Sequence, residues 1–101
     1  MTIIIGDWNE VTDAFNKAEA HLIETEKKHQ IYHDSEIINI SKVFDSMPAL
    51  DYKHQINIAL HLISISDRVY MLKGWEYNND ARMLHDYALA LNLQIIYSKK
   101  F

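Results

Sequence analysis

Both tryptophans and both glycines of the chain lie in two short segments that are rich in polar side chains. An indole ring can stack on a flat ligand such as a nucleobase, and carboxylate and amide groups can bind sugar hydroxyls. A glycine lets the backbone approach a ligand closely. We therefore predict a ligand-binding site made of Gly6, Asp7, Trp8, Asn9, Gly74, Trp75, Glu76, Tyr77, Asn78 and Asn79, with Glu10 as a further group for sugar hydroxyls.

The same residues also have a structural interpretation. A tryptophan in a loop can cover an exposed edge of the core or lie in a subunit interface, and a glycine can simply mark the end of a strand. Asn78 or Asn79 can cap the helix that follows. Both interpretations remain open at the level of sequence.

Histidine is the other residue type with chemical potential. No His-Glu-x-x-His motif occurs, and His54 and His61 lie two helical turns apart, too far to share one ion. No phosphate-binding loop and no catalytic serine motif occurs. The sequence predicts no metal site and no cofactor, and it predicts surface positions for His21, His29, His33, His54, His61 and His85.

The elements that must position the two segments alternate between strands and helices. Short β-branched or apolar runs predict strands at residues 2–5, 30–32, 68–72 and 94–97. Apolar residues at helical spacing predict helices at 9–28, 51–64 and 80–91, and residues 33–47 are predicted irregular except for one helical turn near 41–44. The predicted core faces comprise Val11, Phe15, Ala18 and Leu22; Tyr52, Ile56, Ala59, Leu60 and Ile63; and Ala81, Leu84, Ala88 and Leu91, with Asn92 in a left-handed C-cap.

This alternation predicts a small α/β, Rossmann-like or flavodoxin-like three-layer domain. Its sheet is expected to be mostly parallel and four-stranded, with three main helices. Right-handed crossovers favour the strand order 2-1-3-4. Ligands bind such sheets where the strand order reverses, here between the first and third strands, and the two polar segments follow those strands.

Composition limits the class of protein. A chain of 101 residues predicts one domain, residues 1–101, with a modest core that a homo-oligomer would enlarge. The net charge of −4 and the absence of a basic stripe argue against nucleic-acid binding. No apolar run is long enough for a membrane span, and the absence of cysteine and of a signal sequence suggests a cytoplasmic protein.

Residues 66–76, Ser-Asp-Arg-Val-Tyr-Met-Leu-Lys-Gly-Trp-Glu, resemble the strand and loop of a family of uncharacterised bacterial and phage proteins similar to nucleoside 2-deoxyribosyltransferases. Residues 81–93 follow that family's next helix, and residues 14–18 and 35–37 resemble two of its upstream segments. The resemblance implies a Rossmann-like parallel sheet. It also implies chemistry at the N-glycosidic bond of deoxynucleosides, with a glutamate nucleophile on the helix after the third strand.

The chain departs from this pattern where the chemistry would occur. Leu84 stands at the position of the glutamate, and Asp80 and Asn78 replace the glycine and serine that precede it. The family's first-loop signature is also absent. Leucine has no lone pair to attack a sugar carbon, and it continues a core stripe, so we expect Leu84 to be structural. Glu76 is the best remaining candidate for a catalytic carboxylate.

Three hypotheses follow. The first is a non-catalytic member of this family that binds a nucleoside-like or nucleotide-like ligand at the loops after strands one and three. The second is an interaction protein of a phage or mobile element that binds and inhibits a host protein through its tryptophan loops. The third is a hydrolase or transferase of N-glycosidic bonds that uses Glu76. All three assume that the two loops meet at one crevice.

Overall fold

The structure is a computed structural model that describes residues 1–29 and 36–101. In chain order its elements are β1 (Thr2–Ile5), α1 (Thr12–His29), β2 (Ile37–Asn39), α2 (Ile40–Asp45), α3 (Tyr52–Ser64), β3 (Arg68–Met71), a 3₁₀ turn (Trp75–Tyr77), α4 (Asn79–Ala90) and β4 (Gln94–Tyr97). Within the described ranges, no helix has both the length and the apolar content to cross a bilayer.

The four strands form one parallel sheet in the order β2-β1-β3-β4, which confirms the predicted topology and fold class. In the register, Thr2 of β1 pairs with Ile37 on one side and with Arg68 on the other, and Arg68 pairs with Gln94. All four residues of β1 are fully buried, as expected for a central strand covered on both faces.

Helices cover the two faces of the sheet. On one face, the buried Asn39 at the end of β2 donates to Asn16 Oδ1 (3.0 Å) and Glu19 Oε1 (3.3 Å) of α1. On the other face, α4 packs against β1, β3 and β4 and alongside α3. The carboxyl ends of β1 and β3 therefore lie at one edge of a three-layer domain, as Rossmann-like folds require.

The second strand of the sheet lies in a segment that we predicted to be irregular. Residues 30–32, where we predicted it, lie outside the described residues, and the strand beside β1 is Ile37–Asn39, in a segment predicted to be irregular. The helical turn predicted near residues 41–44 is the longer α2, which follows β2 at once. Asn39 caps α2 by accepting from Lys42 N–H at 3.3 Å. A three-residue strand that runs directly into a helix is too short to show an alternating pattern.

Two residues predicted for the core are exposed. Tyr52 is 57% exposed at the first position of α3, where its hydroxyl bonds to Asp80, and Leu91 is 41% exposed at the C-cap of α4. Both lie at helix ends, where the chain leaves the packed face. The left-handed conformation predicted for Asn92 is confirmed by its φ of 59°. The rest of the predicted face of α4 is fully buried and consists of Ala81, Leu84 and Ala88.

Candidate ligand-binding site

The two predicted loops begin side by side at the carboxyl edge of the sheet. Gly6 follows β1 and is buried against Leu72, which follows β3. The Leu72 N–H donates to the Ile5 carbonyl at 2.9 Å, and a Cβ added at Gly6 would lie 2.8 Å from Leu72 Cδ1. Gly6 is therefore required for the close approach of the two chain segments.

The loop after β1 is a compact turn held by Asp7. The Asp7 carbonyl accepts from the N–H groups of Glu10 (3.2 Å) and Val11 (3.0 Å), and its carboxylate accepts from Asn9 N–H (3.2 Å). This pattern is an Asx-type turn, in which an aspartate side chain satisfies the backbone locally. Asp7 shapes the loop, while Asn9 and Glu10 are exposed at its surface.

Trp8 belongs to the core. Its side chain is 6% exposed, and its ring meets Phe44 of α2 edge-on, with centroids 5.2 Å apart. The indole N–H donates to Gln55 Oε1 of α3 at 3.4 Å. The indole therefore joins the loop after β1 to α2 and α3.

Trp75 lies in an aromatic cluster on the α4 side of the sheet. Its ring stacks on His85, with centroids 4.1 Å apart, and is 5.9 Å from the ring of Tyr97. The Tyr97 hydroxyl lies 2.7 Å from His85 Nε2, and Asp86 Oδ1 lies 3.1 Å from His85 Nδ1. Because a carboxylate only accepts, Nδ1 carries the proton in neutral His85 and Nε2 accepts from the Tyr97 O–H.

The surface position predicted for His85 is wrong, because its side chain is only 7% exposed. His21, His54 and His61 are exposed as predicted, whereas the side chains of His29 and His33 lie outside the described residues. His85 directly follows Leu84 of the core face, so a slightly wider buried stripe on α4 includes it. Its partner Tyr97 comes from a different element, which the helical periodicity could not indicate.

The two indoles thus have different neighbours. Trp8 contacts α2 and α3, whereas Trp75 contacts α4 and the end of β4. Among the described residues, no ring contact joins the two. The loops start together, but their tryptophans turn toward different parts of the core.

The remaining residues of the loop after β3 lie near the surface. Gly74 has a φ of 85°, a left-handed conformation that favours glycine. Glu76 is exposed and Tyr77 is 91% exposed. Asn78 is the N-cap of α4 and accepts from Ala81 N–H at 2.8 Å, which confirms the capping interpretation for Asn78. The exposed Asn79 is the first residue of the helix.

An open cleft of about 370 Å³ lies on the α1 side of the carboxyl edge. Its walls are the first turns of α1 with the residues before them, and the segment that follows β4. Asp13 and Lys17 form an ion pair across 3.7 Å, and Lys100 Nζ lies 5.4 Å from the centroid of the Phe101 ring. The lining residues are Glu10, Val11, Asp13, Ala14, Lys17, Lys100 and Phe101.

Of the polar groups that we predicted for the site, Glu10 lines this cleft, whereas the ten residues of the predicted ligand set are not among its lining residues. Sequence reasoning missed Asp13 and Lys17 because they read as the solvated face of a helix. It missed Lys100 and Phe101 because nothing local indicates that the chain after β4 folds back onto α1.

Two ionisable groups with shifted pKa values lie at the end of α3 that faces α4. The hydrogen bond to the Asp80 carboxylate raises the pKa of the Tyr52 hydroxyl. Hydrogen bonds from the backbone N–H and the ring of His54 lower the pKa of Asp51. The Asp51 shift comes from the N-cap of α3 and the Tyr52 shift from a bond between the side chains of two helices, and none of these residues lines the cleft. In the part of the chain that the structure describes, no group of three or more His, Cys, Asp or Glu side chains could hold a metal ion.

The sheet and its helices define a Rossmann-like α/β protein, with an open cleft beside the loop after β1. Residues 3–97 match the family described as Domain of unknown function (DUF4406), and the chain belongs to this family. No curated protein and no solved structure matches the chain.

Proposed function

We propose that this chain is a non-catalytic, nucleoside 2-deoxyribosyltransferase-like protein that binds a nucleoside-like or nucleotide-like small molecule. The observation that carries the proposal is the cleft on the α1 side, because it combines an aromatic ring, carboxylates and amines next to the loop after β1. Ligands of parallel α/β sheets bind at this edge, beside the strand where the order reverses.

The cleft offers a suitable group for each part of such a ligand. The Phe101 ring can stack on a flat base, and the Glu10 carboxylate can accept hydrogen bonds from sugar hydroxyls. Lys100 can bind a phosphate oxygen, whereas Lys17 is already paired with Asp13. The cleft volume of about 370 Å³ falls within the usual size range of small-molecule sites.

The environment of α4 supports binding without catalysis. Leu84, at the position where the resemblance implies a glutamate nucleophile, is fully buried and packs in the core. Glu76 is exposed in the 3₁₀ turn, and among the described hydrogen bonds none involves its side chain. A catalytic carboxylate needs a fixed position against its substrate, so Glu76 lacks the surroundings of a nucleophile.

Isothermal calorimetry with 2′-deoxyadenosine and its 5′-monophosphate tests the proposal. We expect Glu10→Gln to weaken binding of both compounds about tenfold, as the loss of a hydrogen bond to a charged group would do. Lys100→Ala should weaken binding of the monophosphate by a similar factor and leave binding of 2′-deoxyadenosine unchanged. Lys53→Ala, an exposed lysine of α3, is the matched control and should bind like the wild type. The absence of heat for both compounds at millimolar concentration contradicts the proposal.

Chromatography separates binding from turnover. After incubation of the protein with 2′-deoxyadenosine, we expect no free adenine above the level of a protein-free control. Release of adenine that Glu76→Gln abolishes would instead support an enzyme of the N-glycosidic bond.

A second candidate function is a protein-interaction module, and one observation favours it. Tyr77 is 91% exposed at the tip of the loop after β3, and such tyrosines are frequent anchors in protein interfaces. A pull-down from a lysate of a bacterial host, compared between the wild type and Tyr77→Ala, tests it. A partner that is captured equally by both proteins would show that Tyr77 is not the anchor.

A further inference from the structure

The segment after β4 covers part of the sheet face that carries α1. Ser98 N–H donates to the Met71 carbonyl at 2.8 Å, which extends the β3–β4 ladder by one residue. The chain then turns toward α1, where the ring of Phe101 lies 5.6 Å from that of His21. We call residues 98–101 the strap.

The turn of the strap depends on one hydroxyl group. Ser98 Oγ accepts from the N–H groups of Lys100 (3.3 Å) and Phe101 (2.8 Å), as in a short serine turn. Phe101 is half-buried and packs against the edge of the core. After the ladder bond of Ser98 N–H, the strap has no helical or strand hydrogen bonding, and such segments open at low free-energy cost.

The strap also carries the cleft's aromatic group. Of the lining residues in the described ranges, Phe101 alone is aromatic. The tryptophans are engaged elsewhere, Trp8 against Phe44 and Trp75 against His85. A flat ligand in the cleft therefore meets an aromatic ring mounted on a loosely held segment.

We propose that the strap is a movable wall of the cleft, which opens around the Ser98 turn and closes Phe101 onto the flat ring of the ligand. This inference rests on the proposed function. It assigns recognition of the base to Phe101 and to the segment after β4, rather than to either tryptophan. Closure costs conformational entropy, because it fixes a segment that is loosely held when no ligand is bound. The Ser98 turn holds part of the segment in place before binding, so it lowers this entropy cost.

Fluorine NMR of protein labelled with fluorophenylalanine tests the strap directly, because the chain has three phenylalanines. Phe15 is fully buried and Phe44 is 6% exposed, so both serve as internal references. Phe101→Leu assigns the third resonance. In the free protein, we expect the Phe101 resonance to be broadened by exchange and the Phe15 resonance to be sharp.

On titration with 2′-deoxyadenosine 5′-monophosphate, the Phe101 resonance should shift and sharpen while that of Phe15 stays in place. Ser98→Ala should weaken binding about fivefold. This factor matches the entropy cost expected when one short segment becomes ordered on binding. Ser64→Ala is the matched control, since this exposed serine ends α3 and bonds within its own helix.

The outcomes separate the two proposals. Calorimetric binding with an unmoved Phe101 resonance, or equal affinity of wild type and Phe101→Leu, overturns the strap and leaves the ligand proposal intact. No calorimetric binding overturns the proposed function, and the ligand role of the strap with it. A Phe101 resonance that is sharp in the free protein and unchanged by the nucleotide would show a fixed wall and overturn the movable one.

Discussion

The approach of Gly6 to Leu72 makes a quantitative prediction for Gly6→Ala. The new methyl group would lie 2.8 Å from Leu72 Cδ1, 3.0 Å from its Cβ and 3.2 Å from its Cγ. The Cδ1 atom can rotate away only into a packed core, because Leu72 is fully buried. The Cβ atom cannot rotate away at all, since the backbone of Leu72 is tied to Ile5 by a hydrogen bond of 2.9 Å.

We therefore expect a net loss of stability. Overpacking a core by one methyl group costs about 1–3 kcal/mol, and the lower entropy of the unfolded alanine chain offsets roughly 0.4–1 kcal/mol of this. For a domain of this size, each kcal/mol lowers the midpoint of thermal unfolding by about 4–8 °C. Urea unfolding followed by far-ultraviolet circular dichroism measures the difference directly.

Gly74→Ala is the matched control, because it changes the other glycine and destabilises the protein through backbone conformation rather than through a steric clash. A Cβ at Gly74 meets no atom within 4 Å, but the φ of 85° is left-handed. That conformation costs an alanine about 1–2 kcal/mol. The Leu72→Ala substitution removes the Cγ and Cδ1 atoms that the new methyl group would meet. In that background, the loss of unfolding free energy caused by Gly6→Ala should be smaller by about 0.5 kcal/mol or more, as expected for contacting residues. The loss caused by Gly74→Ala should not change. A Gly6→Ala protein as stable as the wild type, or an unchanged penalty in the Leu72→Ala background, refutes the reasoning.

Three further predictions concern single contacts. Tyr97→Phe leaves the buried Nε2 of His85 without its partner. It should cost about 1–2 kcal/mol in urea unfolding, and a change below about 0.3 kcal/mol would contradict this. Leu84→Glu should lose several kcal/mol by burying a carboxylate, whereas Met83→Glu on the exposed side should stay within about 0.5 kcal/mol of the wild type. Equal stability of these two variants would refute a core role for Leu84. The pKa of Asp51 is lower in the folded protein than its ordinary value of 3.8. The ionised carboxylate therefore stabilises the folded state at pH values above 3.8, and this contribution is lost as the pH falls through the lower pKa of the folded state. Asp51→Asn should flatten stability between about pH 5 and about pH 2, and an unchanged profile would contradict the assignment.

Much of the fold could be predicted because its elements carry strong local patterns. The strand at residues 94–97 matches β4, and the predicted third helix is shifted by one residue from α4. The first helix starts at Thr12 rather than at residue 9, because the preceding turn is closed by the bond from Val11 N–H to the Asp7 carbonyl. The strand β2 was not predicted at residues 37–39, because three residues cannot show a period.

The candidate site was harder to predict than the fold, because its side chains are directed by distant parts of the chain. Trp8 turns inward toward Phe44 and toward Gln55, which is 47 residues away in sequence. Phe101 reaches the cleft because the segment after β4 turns back at Ser98. Sequence patterns place a loop at the correct edge of a sheet, but tertiary packing decides which of its side chains remain free to bind.

The two sides of the carboxyl edge are occupied differently, and this difference determines where we expect a ligand. On the α4 side, Leu84 lies in the core and the next residue, His85, is covered by Trp75 and bonded to Tyr97. At these two positions α4 uses its side chains for packing. On the α1 side, the first turns of the helix border an open cleft with carboxylates, amines and the ring of Phe101. A ligand that bound on the α4 side would have to displace a stacked aromatic cluster, whereas one on the α1 side need only move a short strap. Binding should therefore perturb Phe101 and leave the environment of Trp75 unchanged.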